Sequence, residues 1–104
     1  MFVFRKCIQV LKNHKDEVWC VDFSSDGNIL ATAGKSGVIN LWRKDNFEKT
    51  QKFTLYLKIE DSYPVSNLHW SYEDMNLLVT RYKSNIVQIY STEVYSYFND
   101  MISA

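Results

Sequence analysis

Net charge is the first thing these 104 residues lack: 12 Lys and Arg balance 12 Asp and Glu. A surface that gathers polyanions through excess positive charge is thereby excluded, and nucleic acid is not an expected partner. Long apolar runs are missing too. None approaches the ~20 residues that span a bilayer, and residues 1–6 are too short for the hydrophobic part of a signal peptide. The expectation is a soluble intracellular chain, cytoplasmic and/or nuclear, with no membrane partner. Cysteine is limited to Cys7 and Cys20, and two cysteines without a secretory setting are expected as free thiols.

The short patterns that carry chemistry are also missing. Cys7, His14, Cys20 and His69 contain no C-x-x-C and no H-x-x-x-H, so no metal site is expected. Gly34-Lys35-Ser36 has the end of a phosphate-binding loop, but Ile29 stands where the first glycine is needed and a strand is read where a helix should follow. Ser24, Ser25 and Ser36 lack the G-x-S-x-G setting of an activated nucleophile. Asp16, Glu17 and Asp22 cluster, the first two as a solvated turn and the third on a strand. No cofactor and no enzymatic activity is expected. The competing enzymatic reading is a small hydrolase using His14 with a nearby carboxylate.

What the chain does have is apolar residues at 46% and aromatics at 15%, enough for one packed domain rich in sheet. Residues 14–42 organise it. They run HKDEVWCVDFSSDGNILATAGKSGVINLW: a polar turn, an apolar run over 18–23, the pair Asp26-Gly27, a second run over 28–33, a turn at Lys35-Ser36-Gly37, and a third run closing on Trp42. Asp-Gly between apolar runs is a strong hairpin signal, because the favoured turn needs positive φ, where glycine costs nothing. Three strands joined by two tight turns are predicted. Strict alternation puts Val18 and Phe23 on opposite faces although both are apolar, so a bulge near Trp19-Cys20 is expected to restore the register. Residues 52–59 (KFTLYLKI) alternate as a half-buried fourth strand, reached through a polar connection over 46–51. Residues 2–11 read as a further strand ahead of the first turn.

The pattern then recurs. Val65, Trp70, Ser71 and Leu77 lie 47 residues after Val18, Phe23, Ser24 and Leu30, close to the ~40–45 residues of a propeller-blade repeat. Three more strands are predicted over 65–70, 76–82 and 86–90. The second copy is degenerate: Asp61 stands at the place of His14, Asp74 at that of Gly27, Lys83 at that of Ser36, and Tyr90, after a one-residue insertion, at that of Trp42. Residues 93–104 form a C-terminal tail, read as either a further strand at Val94-Tyr95 or a short helix.

His14, the Val18/Val21/Phe23 spacing, Ser24-Ser25-Asp26-Gly27, Leu30-Ala31-Thr32 and Ile39-Asn40-Leu41-Trp42 resemble one WD repeat. The resemblance implies an all-β, partial WD-repeat β-propeller of about two four-stranded antiparallel blades over residues 1–92, with repeat one about 12–59 and repeat two about 60–92. It also implies a structural hydrogen-bond set, His in the first turn, Ser or Thr on the second strand, Asp before the third and Trp on it. His14, Thr32 and Trp42 match by position, and Ser36 stands where the aspartate is expected, a weaker acceptor without charge. Propeller turns of this kind share one rim, which places Lys15, Asp16, Glu17 and Lys35 beside Asp61, Ser62, Tyr63 and Lys83 as a protein-binding face.

Asp16-Glu17-Val18-Trp19 with Phe23-Ser24, and Pro64-Val65-Ser66 with Trp70-Ser71, are similar within that family to the WD-repeat subunits of the glucose-induced-degradation (CTLH) E3 ubiquitin ligases. That likeness implies a non-catalytic scaffold or substrate recruiter in protein degradation. The helical segments that dock such subunits are absent from these residues. The other reading is a WD-repeat adaptor in signalling, trafficking or RNA processing. A propeller closes with ~4–8 blades, so about two blades need company. The chain is expected to be a piece of a longer propeller, to assemble with copies of itself through open blade faces or with another protein such as a ligase subunit, or to be a decayed product that folds poorly.

Overall fold

A computed structural model describes residues 6–45 and 52–91. Strands β1 (Val18–Phe23), β2 (Ile29–Gly34), β3 (Ile39–Lys44) and β4 (Phe53–Ile59) form one antiparallel sheet in chain order. Strands β5 (Val65–Trp70), β6 (Leu77–Arg81) and β7 (Val87–Tyr90) form a second. This is the all-β architecture of partial WD-repeat propeller blades, with four strands in one sheet and three described in the other. The polar connection and the C-terminal tail lie outside the described residues.

The internal repeat is reproduced as three-dimensional register. Val18 pairs with Gly34 and Phe23 with Leu30 in the first sheet; Val65 pairs with Arg81 and Trp70 with Leu77 in the second. Leu30 opposite Trp42 recurs as Leu77 opposite Tyr90. The register shift that the apolar pattern requires falls between Val18 and Cys20, and its counterpart falls between Val65 and Asn67. Each bulge lets its inner strand turn apolar residues toward both faces.

The hairpin turns are built by the same atoms. Ser24 donates its amide to the Ile29 carbonyl at 2.8 Å and accepts the Ile29 amide on Oγ at 3.0 Å. Ser71 does the same with Asn76, at 2.8 and 2.9 Å. Asp26 Oδ1 accepts from Ser24 Oγ at 2.7 Å and from the Asn28 amide at 3.0 Å, and Gly27 takes φ +75°. The second repeat has no glycine for its positive-φ positions, and Met75 (φ 53°) and Lys83 (φ 58°) occupy that region instead.

The core lies between the sheets. Ala31, Ala33, Ile39 and Leu41 of the first pack against Val65, Leu68, Trp70, Leu77 and Val79 of the second. Asp22 fastens the contact: its carboxylate accepts the Trp70 amide at 2.8 Å and its carbonyl accepts the Trp70 indole N–H at 3.0 Å. Cys7 and Cys20 are free thiols.

One expected element differs. Of the strand predicted over 2–11, residues 2–5 are outside the described set, and residues 6–11 form no strand. An extended segment becomes a strand only with a ladder partner, and none of the described strands pairs with it. The one sheet-like feature belongs to a side chain: Gln9 donates Nε2 to the Phe53 carbonyl at 2.7 Å and accepts the Phe53 amide on Oε1 at 2.9 Å. Its amide reproduces one rung of a ladder at the outer edge of β4.

Candidate protein-binding rim

Three side chains converge beside the first blade. Thr32 on β2 and Trp42 on β3 are buried, and the Trp42 indole donates to Thr32 Oγ1 at 2.8 Å. His14, from the polar turn, places Nε2 2.6 Å from the same hydroxyl. A hydroxyl offers one donor and two acceptor lone pairs, so Thr32 can accept from the indole while donating to a neutral imidazole. Ser36 lies elsewhere. Its Oγ accepts the Val38 amide at 3.3 Å, a local turn bond two residues along the chain.

Burial holds the His14 imidazole below its ordinary value of 6.5, which fits a ring bonded as the neutral form. On acidification the unfolded chain then takes up this proton first. The histidine's contribution to stability is intact above about pH 6.5 and is lost as the pH falls through 6.5 toward the lower folded value. Replacing His14 by Gln is expected to cost about 1–3 kcal/mol at pH 8 and to flatten the part of the stability profile that declines between pH 7 and 5. Urea melts across that range measure both, and a variant that overlays the parent curve at every pH would show that the bond to Thr32 does not hold the turn.

The second repeat reaches the same end with different chemistry. Asp61 replaces the histidine, Val79 the threonine and, at the place of Gly34, the chain carries Arg81. Arg81 is 5% exposed. Nη1 donates to the Gly37 carbonyl and to the Tyr63 carbonyl, each at 2.8 Å, and Nε donates to Gln88 Oε1 at 2.8 Å. Asp61 Oδ2 lies 3.5 Å from Nε. The Ser62 amide and, to a smaller extent, the Arg81 guanidinium hold the Asp61 carboxyl below the usual carboxylate range. One guanidinium thus ties the turn before β3 in the first blade to the loop before β5 in the second. The sequence reading missed Arg81. Its signal was a lone cation inside the apolar run 76–82, at the repeat position of a glycine.

Of the residues expected on the rim, Asp61 and Tyr63 meet this tie directly. Glu17 and Lys35 sit 3.6 Å apart, and the Lys35 amide donates to the Glu17 carbonyl at 3.0 Å. The Asp16 carboxylate accepts the Glu17 amide at 2.8 Å. Across the seam, the carbonyls of Asp61 and Tyr63 approach the α-carbon side of Gly37 so closely that any Cβ there would collide with both. Tyr82 donates its amide to the Pro64 carbonyl at 2.7 Å, and Lys83 sits over the Tyr82 ring at 5.6 Å. Lys15, Asp16, Glu17, Lys35, Asp61, Ser62, Tyr63 and Lys83 are all exposed. Both signs of charge and an exposed tyrosine are therefore presented on loops held from beneath by buried bonds. Among the described residues, no group of three or more His, Cys, Asp and Glu could hold a metal ion, and no helix is long and apolar enough to cross a membrane.

Residues 5–43 match the family model described as WD domain, G-beta repeat. Among curated proteins, the WD repeat-containing protein WDS homolog of Arabidopsis thaliana is 39% identical over 68% of this chain and 13% of its own length. The WD repeat-containing protein 26 homolog of Drosophila melanogaster is 38% identical over 62% of this chain and 10% of its own length. Protein transport protein SEC13 of Chaetomium globosum is 41% identical over 40% of this chain and 15% of its own length. The chain thus spans a small part of the relatives it matches. WD40 repeats are generally non-catalytic and typically mediate protein–protein contacts. The matched residues and the register-related blades thus agree in the WD40 repeat.

Proposed function

We propose that the chain recruits or scaffolds protein partners through the rim, as part of an intracellular E3 ubiquitin ligase assembly acting in protein degradation, in the cytoplasm, the nucleus or both. The observation that carries the binding reading is the tie made by Arg81, which fixes loops from two blades side by side while leaving Lys35, Asp61 and Tyr63 exposed. Loops positioned by a rigid scaffold are where binding concentrates, and a pre-fixed surface loses less entropy when a partner docks. The ligase assignment rests on the phrases at residues 16–19 and 64–66 and on their likeness to CTLH-type subunits. The alternative of an adaptor in trafficking draws support from a relative whose name is that of a protein transport protein. Within this proposal residues 1–92 act as one partial propeller, and the blade faces left open at its two ends associate with further blades, including those of another copy.

Affinity capture with the tagged chain, followed by mass spectrometry, separates the two assignments. Ubiquitin ligase subunits are expected in the capture, and Tyr63→Ala, at a 54% exposed position, is expected to reduce their recovery about tenfold or more, as loss of an interface tyrosine does, with the β-sheet circular dichroism unchanged. Recovery of transport-coat proteins in their place would favour the trafficking adaptor. Equal recovery with Tyr63→Ala would move the binding surface off the rim.

A further inference from the structure

The repeat register gives residues from both sides of the blade contact counterparts on open faces. Val65, Leu68 and Trp70 are buried against the first blade at 0, 4 and 4% exposure, whereas their counterparts Val18, Val21 and Phe23 stand 47, 59 and 54% exposed. On the other side, Ile39 and Leu41 are buried at 0 and 5%, whereas Val87 and Ile89 stand 58 and 65% exposed. The pairing of Ala33 with Ile39 recurs as Thr80 with Val87, which fixes this second correspondence independently. One end of the described structure thus presents the apolar set of an incoming blade face, and the other end presents that of an outgoing face. The formed seam shows how two such faces meet.

We propose that the face carrying Val21 and Phe23 docks onto the face carrying Val87 and Ile89 of a second copy of this chain, head to tail, repeating the seam between its own two blades. This rests on the reading of the chain as a partial propeller with associating ends. The contact joins two different surfaces, so each docked copy leaves one face free, and addition continues until a ring closes. At about two blades a copy, closure at ~4–8 blades takes two to four copies. A symmetric face-to-face dimer is not what the geometry favours, because each face is the counterpart of the opposite side of the seam.

The test uses the full chain and two variants, Val21→Glu and Ile89→Glu, each at an exposed position on one face only. Light scattering on a sizing column is expected to give the parent a mass that is a small multiple of 12.3 kDa, and each variant 12.3 kDa alone, because a carboxylate buried without a partner weakens association about a hundredfold or more. Mixed in equal amounts, the variants still hold one intact face each and are expected to form a capped pair of twice the chain mass. Circular dichroism of each variant confirms that the sheets are kept. A parent chain of 12.3 kDa at every concentration overturns the proposal, as do variants that keep the parent's mass or a mixture that stays at 12.3 kDa. Capture of rim partners is followed on the same preparations. A monomeric parent that still binds them overturns self-association alone, and an assembly that binds none overturns the rim reading alone.

Discussion

Replacing Gly37 by Ala is expected to lower stability by about 2–5 kcal/mol. Two costs combine. Gly37 has φ +86°, where an L side chain is strained and alanine costs about 1 kcal/mol or more. The added Cβ would also meet the Asp61 carbonyl well inside contact distance and the Tyr63 carbonyl at 2.9 Å. Both are backbone atoms of the neighbouring blade, so relief requires moving a loop, and overpacking of that sort costs about 1–3 kcal/mol. Gly27 provides the control. It has φ +75°, but nothing lies within 4 Å of where its Cβ would be. Gly27→Ala should show the conformational cost alone, about 1 kcal/mol, and the difference between the two urea midpoints measures the closeness of the blades at the rim. Equal midpoints would mean that the loop 61–63 does not rest on Gly37 in solution. Where the loop is displaced without unfolding, Tyr63 moves with it, so rim binding should weaken along with stability.

The sequence was most informative where structure follows from local pattern. The bulge at Val18–Cys20 followed from apolar residues that strict alternation would have split between faces. The turn at Asp26-Gly27 followed from the demand for positive φ, and the second blade followed from the 47-residue recurrence. What escaped the sequence depends on atoms that meet only after the chain has folded. Arg81 bonds to a carbonyl 44 residues away, and no periodicity announces a guanidinium that serves two loops from different blades. Gln9 is similar, since its partner Phe53 is equally remote, and residues 6–11 were read as a strand because apolar alternation is blind to whether a ladder neighbour exists. Met75 and Lys83 were hidden for a different reason. Residues with side chains enter the positive-φ region only when surrounding contacts hold them there, so their own identity gives no warning.

The two blades hold their rims by unlike means, and the comparison bears on which interaction matters most. In the first, a neutral hydroxyl collects an imidazole and an indole. In the second, a buried cation does the collecting, and it reaches across the seam where the first set stays within its own blade. The exposed pair Glu17–Lys35, with side chains 65 and 52% accessible, belongs to the class of surface ion pairs that contribute about 1 kcal/mol at most. Both the direct bonds and their burial make Arg81 the larger contributor.

Arg81→Ala is accordingly expected to cost about 2–4 kcal/mol, the range for breaking several buried charge-assisted hydrogen bonds. The substitution strands the Gly37 and Tyr63 carbonyls, which share Nη1 at 2.8 Å, and removes the Nε donor from Gln88. Arg81→Lys tests whether charge or shape is responsible. A lysine supplies the cation at a single point and lacks the planar fork that serves Gly37, Tyr63 and Gln88 together, so it should recover less than half of the loss. Asp61→Asn should cost less than either, because the carboxylate stands 3.5 Å from Nε and is partly exposed, whereas the carbonyls are bonded directly. Salt gives an independent check. An interaction carried by buried hydrogen bonds is screened little, so the gap between Arg81→Ala and the parent should persist from 0.05 to about 0.5 M NaCl, over which exposed ion pairs fade. A loss fully restored by lysine, or one that disappears with salt, would assign the seam to a simple ion pair with Asp61. A lysine variant as unstable as alanine, at every salt concentration, would assign it to the fork of donors that joins the two blades.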